Sequence, residues 1–181
     1  MKGPVLVVIE RGGALPVRPS LEALGVGRRI AGPPGTGTVT AVLLGSDLGP
    51  AAAQVADRGA DKVLTVSDGR FDTFHATLWA AAITAVAREL GATSVLVAGT
   101  SRGRQLVGRL AARWGAAAVT EVTDLAPETE GRLTVVRPVF SGRAFQEVRV
   151  DAPRAVLGLR PNAFPPPDAA GSPAPVEAQV L

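Results

Sequence analysis

The residues best suited to chemistry in this 181-residue chain are gathered in one short string, Gly99-Thr100-Ser101-Arg102-Gly103-Arg104. Two glycines permit a close approach of backbone to ligand, while two hydroxyls and two guanidiniums supply donors, and a helix starting here adds its free N–H groups. A phosphate or a partner's carboxylate fits such a loop. The same residues also make a well-capped turn whose arginines face solvent, and the string alone leaves both readings open.

Few other chemistries are available. The chain has no Cys, no Tyr and one His, His75, which removes disulfides, thiolate metal sites, cysteine nucleophiles, tyrosyl acids and multi-histidine clusters. His75 follows Phe74 near the start of an expected helix, and no nucleophile or poised acid stands near it in the sequence, so it reads as a surface or packing residue. Asp68, Asp72, Glu121 and Asp124 lack the dense oxygen spacing of a calcium loop, and Asp68 and Asp72 read as turn and cap residues. No catalytic residue and no metal ligand is assigned. The run Gly32-Pro33-Pro34-Gly35-Thr36-Gly37-Thr38 has the look of a nucleotide loop. It precedes a strand, however, and lacks the lysine that reaches phosphate, so a turn is expected. Gly12-Gly13 does not complete a dinucleotide fingerprint.

The charge balance is modest. Nineteen Lys and Arg against sixteen Asp and Glu give a net charge of +3. The isoelectric point near 10.5 arises because Lys2 and Lys62 are the only lysines and Cys and Tyr are missing, so almost nothing titrates between His and Arg. That value is no sign of a nucleic-acid partner, and 4% aromatic residues leave little surface for stacking bases. Arg102, Arg104, Arg109 and Arg113 form the densest basic segment, but they are spread around a helix rather than laid out as a continuous footprint. The apolar run Val5–Ile9 is too short to cross a membrane and ends at Glu10-Arg11 rather than at a small-residue cleavage site. A cytoplasmic protein without membrane insertion is expected.

The elements that must hold the 99–104 loop can be read from apolar patterning. Val5–Ile9, Val39–Leu44, Lys62–Val66, Ser94–Ala98 and the weaker Ala117–Thr120 are short continuous apolar runs, which suit strands covered on both faces. Helices are expected between them. One is capped by Ser20 and runs through Ile30. A second covers Asp47–Arg58 and stops at Gly59. A third covers Thr73–Leu90 with Leu78, Ala82, Ala85 and Val86 inward, and a fourth covers Gly103–Trp114 with Leu106, Leu110 and Trp114 on one face and a stop at Gly115. This alternation predicts a three-layer, Rossmann-like α/β domain around a central, mainly parallel sheet, with an order such as 3-2-1-4-5. After Thr120, the segments 122–125, 133–138, 145–150 and 155–159 read as short strands of a C-terminal antiparallel extension, in which Glu147 and Arg149 alternate with Val148 and Val150. The domain is expected over 1–160, followed at 161–181 by a Pro-rich linker or disordered tail carrying six prolines.

Several separated strings, in order, resemble the N-terminal domain of the electron transfer flavoprotein alpha subunit, the family that includes the FixB-type proteins. The resemblance covers residues 4 to 163. It begins with Val5-Leu6-Val7-Val8-Ile9-Glu10 and continues through Gly59-Ala60-Asp61-Lys62-Val63, where the family has GADKV. It is strongest over Gly99-Thr100-Ser101-Arg102-Gly103-Arg104-Gln105-Leu106-Val107-Gly108-Arg109-Leu110-Ala111-Ala112-Arg113, similar to ATSxGRDLxPRLAARL. Val122-Thr123-Asp124-Leu125 and Arg137-Pro138-Val139-Phe140-Ser141-Gly142-Arg143-Ala144 then resemble VTDL and RPVYAGNA.

The resemblance implies an alpha/beta heterodimer that takes electrons from flavoprotein dehydrogenases and passes them to a downstream acceptor. It implies that FAD belongs to the complete complex, mainly to a C-terminal alpha-subunit domain absent from this sequence, so no cofactor is expected on this chain. The implied role is structural and partner-docking, toward a beta subunit and redox proteins, without catalysis. The sequence departs from the family pattern where Gln105 replaces Asp, Gly108 replaces Pro and Arg143 replaces Asn. A second reading is a stand-alone adenine-nucleotide-binding module using the Gly99–Arg104 loop.

Overall fold

A computed structural model describes residues 3–33, 35–126 and 133–180. Met1, Lys2, Leu181 and Pro34, the last within the expected 32–38 turn, lie outside the described residues. The strands are β1 Val5–Ile9, β2 Arg11–Gly12, β3 Leu15–Pro16, β4 Val39–Gly45, β5 Lys62–Ser67, β6 Ser94–Ala98, β7 Ala117–Val122, β8 Asp124–Leu125, β9 Thr134–Val139, β10 Ala144–Arg149, β11 Ala155–Leu159 and β12 Val176–Ala178. The helices are α1 Arg18–Ala31, α2 Gly49–Ala56, α3 Ala76–Glu89 and α4 Ser101–Trp114, with 3-10 turns at Gly69–Phe71 and Phe140–Gly142.

Seven strands form one sheet in the order β12-β5-β4-β1-β6-β11-β7, and every pairing in it is parallel. The apolar runs are continuous because both faces are covered. Val5, Val7, Ile9, Ala41, Leu43 and Leu96 pack with α1 and α2, whereas Leu6, Val8, Val42, Leu44, Val95 and Val97 pack with α3 and α4. Alternate residues of one strand thus serve opposite layers, the period-2 geometry of extended chain. The three-layer α/β architecture matches the sequence reading.

Three details differ from it. Residues 155–159, expected in the antiparallel extension, instead lie between β6 and β7 inside the parallel sheet; all five are buried, which their unbroken apolar character demands. The extension itself is the three-stranded sheet β10-β9-β8. In α3 the inward stripe is set by Trp79, Ile83 and Val86, and Ala85 is exposed, because the larger apolar side chains take the core positions. Ser20 does not cap α1. Val17 occupies that position with Pro19 in the first turn, where a missing N–H costs nothing, and the buried Ser20 Oγ accepts the Glu10 N–H at 3.0 Å.

The C-terminal segment, read from sequence as a Pro-rich linker or disordered tail, lies along the domain as a strap. Asn162 N–H donates to Glu22 Oε2 at 2.8 Å, Phe164 is buried in the α1/α2 core, and Arg58 Nη1 reaches Pro167 O at 3.1 Å. The N–H groups of Ala170 and Ala174 then bond Asp57 O and Ala56 O. β12 closes the sheet edge beside β5, pinned by Lys62 Nζ to Glu177 Oε2 at 3.0 Å. Prolines deprive this stretch of helical periodicity, yet its few N–H groups and one Phe are enough to seat it.

Candidate functional site

The chain leaves β1 toward α1 in one helical layer and leaves β6 into α4 in the other. β1 and β6 are neighbours, so the order runs outward in opposite directions from their shared C-terminal edge. Such a switch point is where open α/β sheets form crevices. The Gly99–Arg104 string lies there.

Thr100 is the N-cap of α4. Its hydroxyl oxygen accepts the Gly103 N–H at 3.0 Å and donates to the Glu10 carboxylate, whose oxygens lie at 2.7 and 2.9 Å. Gly103 is dictated by contact, since a Cβ there would stand 1.8 Å from Ala98 O. Arg104 turns aside, with Nε donating to Gly99 O at 3.1 Å and standing 3.5 Å from Glu121 Oε1. Gln105, where the resembling family has Asp, donates from Nε2 to Ser101 O within its own helix. Ser101 and Arg102 are exposed, and the Arg102 guanidinium lies 5.8 Å above the Phe74 ring.

Glu10 is the residue the sequence reading passed over. It is 4% exposed, and burial pushes its carboxyl above the usual carboxylate range, against the opposing Thr100 hydrogen bond and the Arg102 charge. Beside it, Arg11, Leu44, Phe71, Asp72, Trp79 and Arg102 enclose a cavity of about 220 Å³. Arg11 and Trp79 were not singled out from sequence either. The available signal was positional: Glu10, Arg11 and Arg102 follow the C-terminal ends of the expected strands β1 and β6.

Asp72 is the C-cap of the 3-10 turn Gly69–Phe71, its N–H donating to Gly69 O, while its side chain accepts the Ser46 N–H at 2.8 Å and the Ser46 hydroxyl, and Arg11 Nη2 stands 3.5 Å away. The Ser46 bonds, with Arg11 adding to them, hold its carboxyl below the usual range. Asp68 is the N-cap of the same turn, accepting the Arg70 N–H at 2.9 Å, and is likewise held low by Arg70. Asp124 pairs with Arg29. Each of the four acids weighed from sequence stands beside an arginine, and no group of three metal-binding side chains occurs among the described residues. His75 is exposed at the N-terminus of α3 and makes no side-chain cap bond. Arg109 donates to Gln105 O.

At the far side of the sheet, the β9–β10 hairpin carries two outward rings. Phe140 is 78% and Phe145 is 68% exposed, and Phe140 and Ser141 both have left-handed backbone, with φ of 50° and 57°.

Residues 5–180 match the sequence pattern of the electron transfer flavoprotein domain. The chain belongs to the electron transfer flavoprotein family. It is 32% identical over 143 residues to the electron transfer flavoprotein subunit alpha of Bacillus subtilis, covering 79% of this chain and 43% of that relative. To the protein FixB of Clostridium saccharobutylicum it is 32% identical over 165 residues, covering 90% and 48%. To the subunit alpha of Megasphaera elsdenii it is 30% identical over 152 residues, covering 83% and 45%. The chain spans less than half the length of these relatives. Its place in the family is with the N-terminal domain of the alpha-type subunits. Among the described residues no helix is long and apolar enough to cross a membrane.

Proposed function

We propose that this chain is the structural and partner-docking domain of an electron transfer flavoprotein alpha subunit. It supports transfer from flavoprotein dehydrogenases to a downstream acceptor, in the cytoplasm, through a complex with a beta subunit. FAD belongs to that complex rather than to this chain, and the chain contributes no catalysis and contacts no nucleic acid.

The observation that carries the docking role is the β9–β10 hairpin. Two Phe side chains at one end of a small sheet leave apolar area in water that a partner would cover, and aromatic anchors of this kind dominate interface energetics. Arg137, Arg143 and Glu147 surround them in sequence and supply a polar rim. Mixing the chain with a separately purified beta subunit from the same source tests the reading by sedimentation velocity. The wild type should form a heterodimer that Phe140→Ser with Phe145→Ser weakens at least about tenfold, a loss of about 1.4 kcal/mol. Failure of the wild type to associate, or an unaffected double variant, refutes it.

The adenine-nucleotide alternative has less support. Thr100 and Arg104 are engaged within the chain, and the buried Glu10 carboxyl stands where a phosphate would have to approach the α4 N-terminus.

A further inference from the structure

The cavity at the switch point has more donors than acceptors. Arg11 comes from the exit of β1 and Arg102 from the first turn of α4, and both line the same volume of about 220 Å³. Arg11 is the more enclosed, with its side chain 18% exposed. Its restraints are long: Nη1 to Asp47 O at 3.4 Å and Nη2 to Asp72 at 3.5 Å. Arg102 donates no hydrogen bond among the described residues. Its contacts are the Phe74 ring and the attraction of Glu10, whose oxygens are already taken by Thr100. The one carboxylate in the lining, Asp72, is turned to Ser46. Trp79, 4% exposed, forms part of the wall.

The lining is shaped around this arrangement. Gly45 adopts φ of 133°, and a Cβ there would lie 2.6 Å from Arg11 Nη2 and 2.8 Å from Asp72 Oδ1. Only glycine lets the end of β4 pass beneath the ion pair, so the pair keeps Arg11 at the cavity. Two guanidiniums and one committed carboxylate leave the lining with a surplus of donors.

We propose that this cavity binds a small oxyanion, a carboxylate or phosphate group, between Arg11 and Arg102 and against Trp79. Guanidinium forks suit the planar or tetrahedral oxygens of such groups. The volume falls below the roughly 300–1,000 Å³ of pockets that enclose drug-sized ligands, so a whole nucleotide is not the occupant. The site is independent of the hairpin and of the docking role.

The two tryptophans, Trp79 and Trp114, give two indole N–H signals in a nitrogen-15 correlation spectrum, assigned with Trp114→Phe. Titration with inorganic phosphate, with acetate and with AMP, each at ionic strength fixed by chloride, should move the Trp79 signal saturably with phosphate, acetate or both, and leave Trp114 in place. Saturation by phosphate alone assigns a phosphate site, and saturation by acetate alone assigns a carboxylate site. AMP should act no more tightly than phosphate. Arg102→Gln should weaken the response at least tenfold, while Arg109→Gln, on the solvent side of α4, should not change it. A drift that is linear in concentration, equal in chloride or retained in Arg102→Gln means an adventitious ion only and overturns the proposal. Tighter binding of AMP than of phosphate overturns the size argument. The wild-type titration decides the question even where a variant perturbs the fold.

Discussion

The carboxylate of Glu10, at the end of β1, accepts the hydroxyl of Thr100, the cap of α4, with oxygens at 2.7 and 2.9 Å. One hydrogen-bonded pair therefore joins the two strands at which the sheet order diverges. Through the Ser20 hydroxyl, which accepts the Glu10 N–H, it also ties in α1. One central strand and one helix from each layer meet on a single buried acid.

That acid should make stability depend on pH in a defined direction. Burial raises the Glu10 carboxyl above the usual range, so the folded chain holds this proton more firmly than the unfolded one. Its contribution is then fully present below the unfolded pKa and is lost as pH rises through the folded value. Glu10→Gln keeps an acceptor for Thr100 and removes the charge. In urea unfolding between about pH 4 and pH 7, the range above an ordinary glutamate, this variant should gain on the wild type as pH rises. A difference that stays constant across the range contradicts the buried-charge account. Asp72, held low by Ser46 and Arg11, acts oppositely in both proteins and cancels in the comparison.

Gly45→Ala should cost about 1–3 kcal/mol, the strain of a non-glycine residue in a backbone region it avoids together with displacement of the Arg11–Asp72 pair. Chemical denaturation gives the value. Unchanged stability would mean that the end of β4 moves freely enough to absorb a methyl group.

What could be read from sequence was whatever apolar pattern alone decides. Val5–Ile9 and Ser94–Ala98 are unbroken and turn out covered on both faces, and Leu106, Leu110 and Trp114 hold α4 to the core as their spacing requires. Pattern could not say that Ala155–Leu159 inserts between two earlier strands, because pairing partners are set by the closing of the whole sheet. The site was half legible. Arg102 and Thr100 stood in a recognisable loop, but Glu10, Arg11 and Asp72 acquire their meaning only when strand ends far apart in the chain are brought side by side. At 161–181, low periodicity describes the absence of helix, not the absence of docking.

Phe164 anchors that strap, and Phe164→Ala should destabilise the protein by about 3 kcal/mol, the lower end for emptying a buried aromatic site, because the segment can partly collapse. Hydrogen exchange on the wild type should show protected amides at Ala170, Ala174 and Gln179, each bonded to a backbone carbonyl, and the variant should lose that protection first. Fast exchange at these amides in the wild type would mean that the strap does not stay seated in solution.

The isolated chain should purify without colour and should not retain FAD after incubation with excess flavin and desalting. In dinucleotide folds the pyrophosphate rests on the helix that follows the first strand, where tight glycine turns bring free N–H groups to it. Here the stretch between β1 and α1 folds back as the β2–β3 hairpin, and Val17 starts α1 with its N–H bonded to Glu10 O. At the neighbouring helix, the Glu10 carboxyl already covers the Thr100 cap of α4. A phosphate approaching either helix therefore meets an occupied hydrogen-bonding position, and at the second it meets a carboxyl group as well. The visible spectrum after desalting decides the matter. Flavin retained near stoichiometry with the chain would show that another surface binds it and would remove the basis for assigning the cofactor to the rest of the complex.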